Sequence, residues 1–437
     1  MNDLLAPWQA TRDDPWDLAK VGHLLRRAGF GASLAVRRRL ARGGAASALA
    51  FVAPANVPPG ADDATWSDAI AFGELARVRA LRVWLALHHE HRLAQRMSYF
   101  WHGHFATSNQ KLADPRAMAL QQATFDRLGL GRFDDLLLAM CKDPALLRWL
   151  DNDVNTKAKP NENFARELFE LFTLGRGHYV ERDIREAARC FTGWHVRDGV
   201  YFFAARLHDG GEKELFGARG SFDGGDVVAH TVARRESAQF LASKWLRFFV
   251  HPDPQPAEVG ALADVYEQSG RDVGATIATL LASRLFFSPR AWRSKVKSPA
   301  DFVLGTVRLL GAHAAPTELG SAMLSLGEAW LEPPSVEGWH GERAWLSPAA
   351  WLLRSNFVAD LLAHRTGKLA PAPREAFAKL DDPREVAREA AALLLDGVLA
   401  PNDLDRLTTV AEAHDDADAR AAAVLHAAAC LPEYQLS

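Results

Sequence analysis

Two histidines one residue apart, in Trp101-His102-Gly103-His104-Phe105, have the residue types and spacing to hold a metal. In extended backbone His102 and His104 face one side, whereas on a helix they diverge by about 200°. Neutral imidazole is the commonest nitrogen ligand, and a carboxylate as third ligand completes a zinc, manganese or iron site. The plainer reading has two histidines at a helix end that cap carbonyls or bond core polar groups. A divalent metal is the cofactor implied by the first reading, and the spacing alone does not choose.

A second constellation is Asn161-Glu162-Asn163-Phe164-Ala165-Arg166-Glu167, continuing through Leu168, Leu171 and Phe172 to Gly175. Phe164, Leu168, Leu171 and Phe172 share one face at helical pitch, with Glu162, Arg166 and Thr173 opposite and Glu167 on the flank. Glu162 precedes Arg166 by four residues, the favourable order for an ordinary intrahelical ion pair. The sharper reading makes Glu162 or Glu167 a ligand or general base, with Arg166 holding an anionic group in its planar fork. Upstream, Asp151 to Lys157 is a dense polar loop, but no Gly or terminal Glu follows at calcium-loop spacing.

Three further stretches complete the candidate set. His208-Asp209-Gly210-Gly211-Glu212-Lys213 opens a segment, 208–226, with six glycines in 19 residues. It is too flexible for regular structure and long enough to cover a site, so His208, Asp209 and Lys213 read as catalytic candidates on a lid or as a solvated connection. The segment is neither a P-loop nor a dinucleotide fingerprint. The loop Pro333 to Trp345 concentrates prolines, glycines and two tryptophans. It is a buttress or the aromatic wall of a ligand cleft. Asn161, Trp194 and Trp339 are the candidate substrate contacts.

The elements that must position these groups are mainly helices. Asp17 to Ala28 leads into Gly29-Phe30-Gly31, and Ser33 reads as the cap of a second helix through Leu40. Helical patterns follow over 70–100 and 115–150, the latter broken near Gly129–Gly131 and at Asp143-Pro144. After Trp194, His195-Val196-Arg197, Asp198-Gly199 and Val200 to Phe203 predict a β-hairpin near 195–203, since Asp-Gly supplies a type I′ turn. From Ala233 helices resume; Phe240, Leu241, Trp245, Phe248 and Phe249 form an apolar stripe. The fold expected is all-α, a multi-helix bundle with one small hairpin and a lid-like loop at 208–226. Its organisation is a main helical domain over 1–367, a linker at 368–374 and a small helical module over 375–437.

Composition narrows the function classes. The 437 residues can bury a large core, and 48% hydrophobic with 24% charged residues is ordinary for a globular chain. A formal charge of −3 gives no general basic surface for nucleic acid. Cys141, Cys190 and Cys430 show no CxxC spacing, which argues against a thiolate zinc site or disulfide framework. No stretch is apolar and long enough to span a membrane, and no secretory pattern is visible, so the location expected is cytoplasmic.

Taken in order, several blocks resemble the bacterial domain of unknown function 1800 family. They are Phe100 to Ser108, Lys159 to Leu168, Thr192-Gly193-Trp194, His208 to Lys213, Lys297-Ser298-Pro299, Pro333 to Trp339 and Pro432-Glu433-Tyr434-Gln435. The resemblance covers about residues 20 to 435. It implies that His102, His104, Asn161, Glu162, Arg166, Glu167, His208, Asp209 and Lys213 belong to the family's polar pattern. It also implies a partner from the domain of unknown function 1501 family, whose genes often neighbour these. Two functions stay open: a metal-dependent enzyme on a polar or anionic substrate in an interhelical cleft, and a non-catalytic assembly or maturation partner of a hydrolase-like neighbour.

Overall fold

Five helices begin where the sequence supplies both a side-chain acceptor and a proline. Asp114-Pro115, Asp143-Pro144, Ser298-Pro299, Ser347-Pro348 and Asp382-Pro383 each start one, with the Asp or Ser side chain accepting from an N–H of the first turn. The structure is a computed structural model that describes residues 3–339, 341–369, 377 and 379–437. Helices dominate it, and the fold is mainly α.

The expected helices are present with revised bounds. Asp17 caps Leu18–Gly29, and the second helix runs on to Val52 with Gly44 at φ 81° interrupting it. The 70–100 pattern divides between Asp63–Phe72, Leu75–His88 and Arg92–His104. The hairpin pairs Trp194–Arg197 with Val200–Phe203 through Asp198 and Gly199, both at positive φ.

The glycine-rich stretch differs from expectation. A second hairpin, Lys213–Leu215 with Ala218–Gly220, forms inside 208–226, turning through Phe216 at φ 49° and Gly217 at φ 84°. Its glycines supply turn geometry, and Asp223 then caps helix Gly224–Val232.

Two large apolar clusters fill the interior. One gathers residues from Leu5 to Ala291, including Met97, Phe100, Trp101, Phe172 and Trp245. The other joins Phe30 and Val83 to Val303, Phe357, Val386, Leu394 and Tyr434. The 375–437 helices therefore share a core with N-terminal residues. Of the expected linker, Lys368–Leu369 pairs with Ala312–His313, while 370–374 lies outside the described residues. Among the described residues no helix is long and apolar enough to cross a membrane.

Asp396 locks this arrangement. It ends helix Pro383–Leu395 in the left-handed conformation, and its buried carboxylate takes Arg26 and Arg37, the latter at 2.5 Å. Gly22 makes room for it: a Cβ there would stand 2.0 Å from Asp396 Oδ1. Removing one partner of a buried ion pair strands the other, at about 3–5 kcal/mol. Asp396→Ala should lose that much in urea denaturation; a loss under about 1 kcal/mol would contradict this role for the pair.

Candidate functional site

Helix Arg92–His104 runs along the seam between the two large clusters: Met97, Phe100 and Trp101 belong to the first, and Tyr99 packs on the second. A cavity of about 410 Å³ opens beside it. Arg96, Tyr99, Phe100, Gly103 and His104 line it from this helix, and Lys244, Arg247 and Phe248 from helix Arg235–Phe249. Lys295, Asp301, Glu337, Trp339, Glu342 and Trp345 close the remaining sides.

Because the paired histidines sit on a helix, they diverge. His102 Nε2 accepts from the Leu331 N–H at 2.9 Å, and its ring meets Trp339 edge-on at 5.2 Å. His104 Nε2 donates to the Phe172 carbonyl at 3.0 Å, leaving Nδ1 without a partner. Burial, then the charge of Arg82, drops the His102 pKa to about 3. Burial, then Lys244, holds His104 well below the ordinary value, so both rings are neutral. The expected shared metal pair is not formed, and among the described residues no three His, Cys, Asp or Glu side chains group to hold a metal.

The acceptor for His104 comes from a π-helical turn, Leu168–Thr173, that follows helix Asn163–Glu167. The turn ends at Thr173, so the carbonyls of Leu171 and Phe172 have no intrahelical partner. Phe172 O takes His104, and Leu171 O takes Lys244 Nζ at 2.9 Å. The same turn buries Thr173, which helical pitch had placed opposite the apolar face; its hydroxyl donates to Leu168 O at 2.6 Å.

The remaining sequence candidates fall elsewhere. Arg166 sits at the surface between Glu162, at 3.2 Å, and Glu181, which it grips through two bonds of 2.9 and 3.0 Å. That is the ordinary i, i+4 pair enlarged by one carboxylate. Glu167 is half-buried, and burial with the charge of Glu170 pushes its carboxyl up. Asn161 braces the 151–155 loop: its N–H donates to Asn155 Oδ1 and its amide to Asp151 O. Trp194 is buried edge-on against Phe191 and Tyr201, away from the cavity lining.

The presumed lid is anchored. His208 Nδ1 donates to Thr192 O at 2.8 Å, and Asp209 accepts from Arg189 at 2.7 and 3.3 Å. Lys213, 2% exposed, donates to Asp209 O at 2.5 Å, Phe222 O at 2.8 Å and Gly211 O at 3.1 Å. All three ammonium hydrogens are thereby committed to local carbonyls. Of the sequence candidates, only His104 and Trp339 line the cavity.

The Pro333–Trp339 loop packs against the helical turn that carries both histidines. Gly338, at φ 85°, passes so close to Gly103 that a Cβ would stand 2.7 Å from its carbonyl. Likewise Lys297 N–H donates to Gln435 O, and Arg354 ties Lys297 O to Gln435 Oε1. The family model for a protein of unknown function, DUF1800, matches residues 23–436. The chain belongs to the DUF1800 family. Comparisons with curated proteins and with solved structures gave no match. Membership therefore fixes kinship without naming a reaction.

Lys244, Arg247 and Lys295 were missed from sequence. A signal existed: Lys244 stands four residues from both Phe240 and Phe248, on the same helical face. The anchored reading of the glycine-rich stretch is testable. Lys213→Met should leave carbonyls unpaired, cost about 2–3 kcal/mol and speed amide exchange across 208–226. Arg166→Ala should leave the denaturation midpoint unchanged. Unchanged exchange in the Lys213 variant would refute the anchor.

Proposed function

We propose that this chain acts on a small anionic substrate with an aromatic or apolar part, held in the cleft between helices Arg92–His104 and Arg235–Phe249. The carrying observation is uncompensated positive charge beside aromatic walls. Arg96 is paired with Asp301 at 2.5 Å, and Lys295 with Glu342 at 3.2 Å. Lys244 and Arg247 make no ion pair among the described residues, and Glu337 acts on Lys244 only through space. A half-buried ammonium with one carbonyl acceptor and no ion pair among the described residues supports recognition of an anion. Phe100, Phe248, Trp339 and Trp345 supply apolar surface around it.

Burial, followed by the charge of Arg247, brings Lys244 down to about 8. Near that pH it carries ammonium and amine in similar amounts, which suits a group that moves a proton. His104 is neutral, and its Nδ1 is buried without a partner. The metal-dependent form of this reading loses its ligand pair, because His104 commits its Nε2 proton to Phe172 while His102 faces Leu331.

A second reading, a partner from the DUF1501 family, draws support from exposed apolar side chains around the first hairpin. Val200 and Phe203 are 58% and 42% exposed, and nearby Val154 is 63% exposed. A cytoplasmic setting belongs to the proposal and rests on the three free cysteines, which suit a reducing compartment.

Calorimetric titration with phenyl phosphate tests the cleft, with inorganic phosphate and phenol separating charge from ring. Lys244→Met should weaken phenyl phosphate by about tenfold or more, the range for a lost charge-assisted bond. Wild-type affinity should hold below pH 8 and fall above it, as Lys244 loses its proton. Equal affinity in the Lys244 variant would overturn the reading. Co-purification with a DUF1501 neighbour, lost in Val200→Asp with Phe203→Asp while phenyl phosphate binding persists, would favour the second.

A further inference from the structure

Away from the cleft, helices Pro348–Leu362 and Ala417–Ala429 pack together and bring a hydroxyl, an imidazole and a thiol into one cluster. Ser355 Oγ lies 3.0 Å from His426 Nε2, Cys430 Sγ lies 3.4 Å from Ser355 Oγ, and Sγ to Nε2 is 3.8 Å. Cys430 is partly exposed, whereas Cys141 and Cys190 are buried. The chain thus contains three thiols in two different settings. The two buried ones serve as inert internal references, with Cys190 pushed up to about 12 by burial and Cys141 raised further.

We propose that Cys430 is a reactive thiol, with His426 as its base, that exchanges with low-molecular-weight disulfides. Thiol exchange needs a thiolate, an acceptor for its proton and access for the attacking disulfide. His426 Nε2 is the acceptor, within reach of Sγ. Ser355 can turn its hydroxyl to donate to the sulfur once the proton has left. Partial exposure supplies access. The hydrogen bond between His426 and Cys430 raises the imidazole and lowers the thiol, the directions expected of an ion pair.

One influence works the other way. Cys430 caps the C-terminus of its helix, where the partial charge is negative and disfavours a thiolate. The same field favours protonated His426 in the last turn, so the helix end raises the basicity of the group that takes the proton.

The step balances without any further reagent. Cys430 gives its proton to His426, and the thiolate attacks one sulfur of a disulfide RS–SR. The new Sγ–S bond forms as the S–S bond breaks, and RS⁻ leaves with the electron pair, to be protonated by His426. The cysteine sulfur is oxidised and the departing thiol is the reduced product. The mixed disulfide places bulk between the two helices, beside Ser355.

The full chain, kept folded, is incubated with oxidised glutathione at pH 7 and followed by intact mass and peptide mapping. One adduct per chain at Cys430 is expected, formed faster than on free N-acetylcysteine under the same conditions. Cys430→Ser should give none, and His426→Gln should slow the reaction about tenfold, as the thiolate fraction falls. An adduct on Cys141 or Cys190 with Cys430 untouched overturns the proposal. So does a wild-type rate no faster than the free thiol, a comparison that does not depend on any variant folding.

Discussion

The ion pair between Arg96 and Asp301 is the constraint on which the cleft depends. Arg96 comes from the helix that serves the first apolar cluster, and Asp301 from the first turn of helix Pro299–Leu310, which builds the second. The guanidinium lies against Phe30, Tyr99 and Phe248, with distances of 4.8, 5.3 and 4.6 Å to the ring centres. Burial alone would raise the Asp301 carboxyl, but the charge and hydrogen bond of Arg96 outweigh it and hold the group below the ordinary range. A buried pair of this kind contributes less to net stability than its distance suggests, since both ions are desolvated. Its value lies in register. Asp301 also takes part in the capping box of its own helix with Ser298, so one carboxylate sets both the helix start and the position of Arg96.

With that register set, the cleft's electrostatics follow from what is left unpaired. Arg96 and Lys295 each have a carboxylate, so they shape the wall without presenting free charge. Lys244 is held by the Leu171 carbonyl, one of the last four of its helix, which have no intrahelical partner. The end of that turn thus holds two groups at once, Lys244 and His104. The chemistry of the Glu162 to Thr173 stretch is in its backbone.

Much of the fold could be read from residue types. Asp198-Gly199 predicted its hairpin because few residues other than Asp, Asn and Gly accept positive φ at both turn positions. The Asp-Pro and Ser-Pro starts were readable for a similar local reason. The second hairpin was hidden because it turns through Phe216, a residue whose positive φ is set by packing against Phe169 and Arg234. The π-turn was hidden as well, since a single-register projection assumes constant pitch. At the site, the Glu162–Arg166 pair was readable as an ion pair, and nothing local could say that Glu181 would join it. Lys244 and Arg247 were masked by the aromatic stripe that flanks them, which reads as core.

Four of the polar residues that stand out in the family pattern are bonded to neighbours in the chain. Lys213 satisfies three carbonyls, Asp209 holds Arg189, His208 holds Thr192, and Asn161 braces Asp151. Groups bonded in this way rigidify a loop. Buried polar atoms that keep a free donor or acceptor are costly, and a ligand that completes them recovers that cost on binding. In the cleft Lys244 keeps donors beyond its bond to Leu171 O, beside a cavity with room for a small molecule.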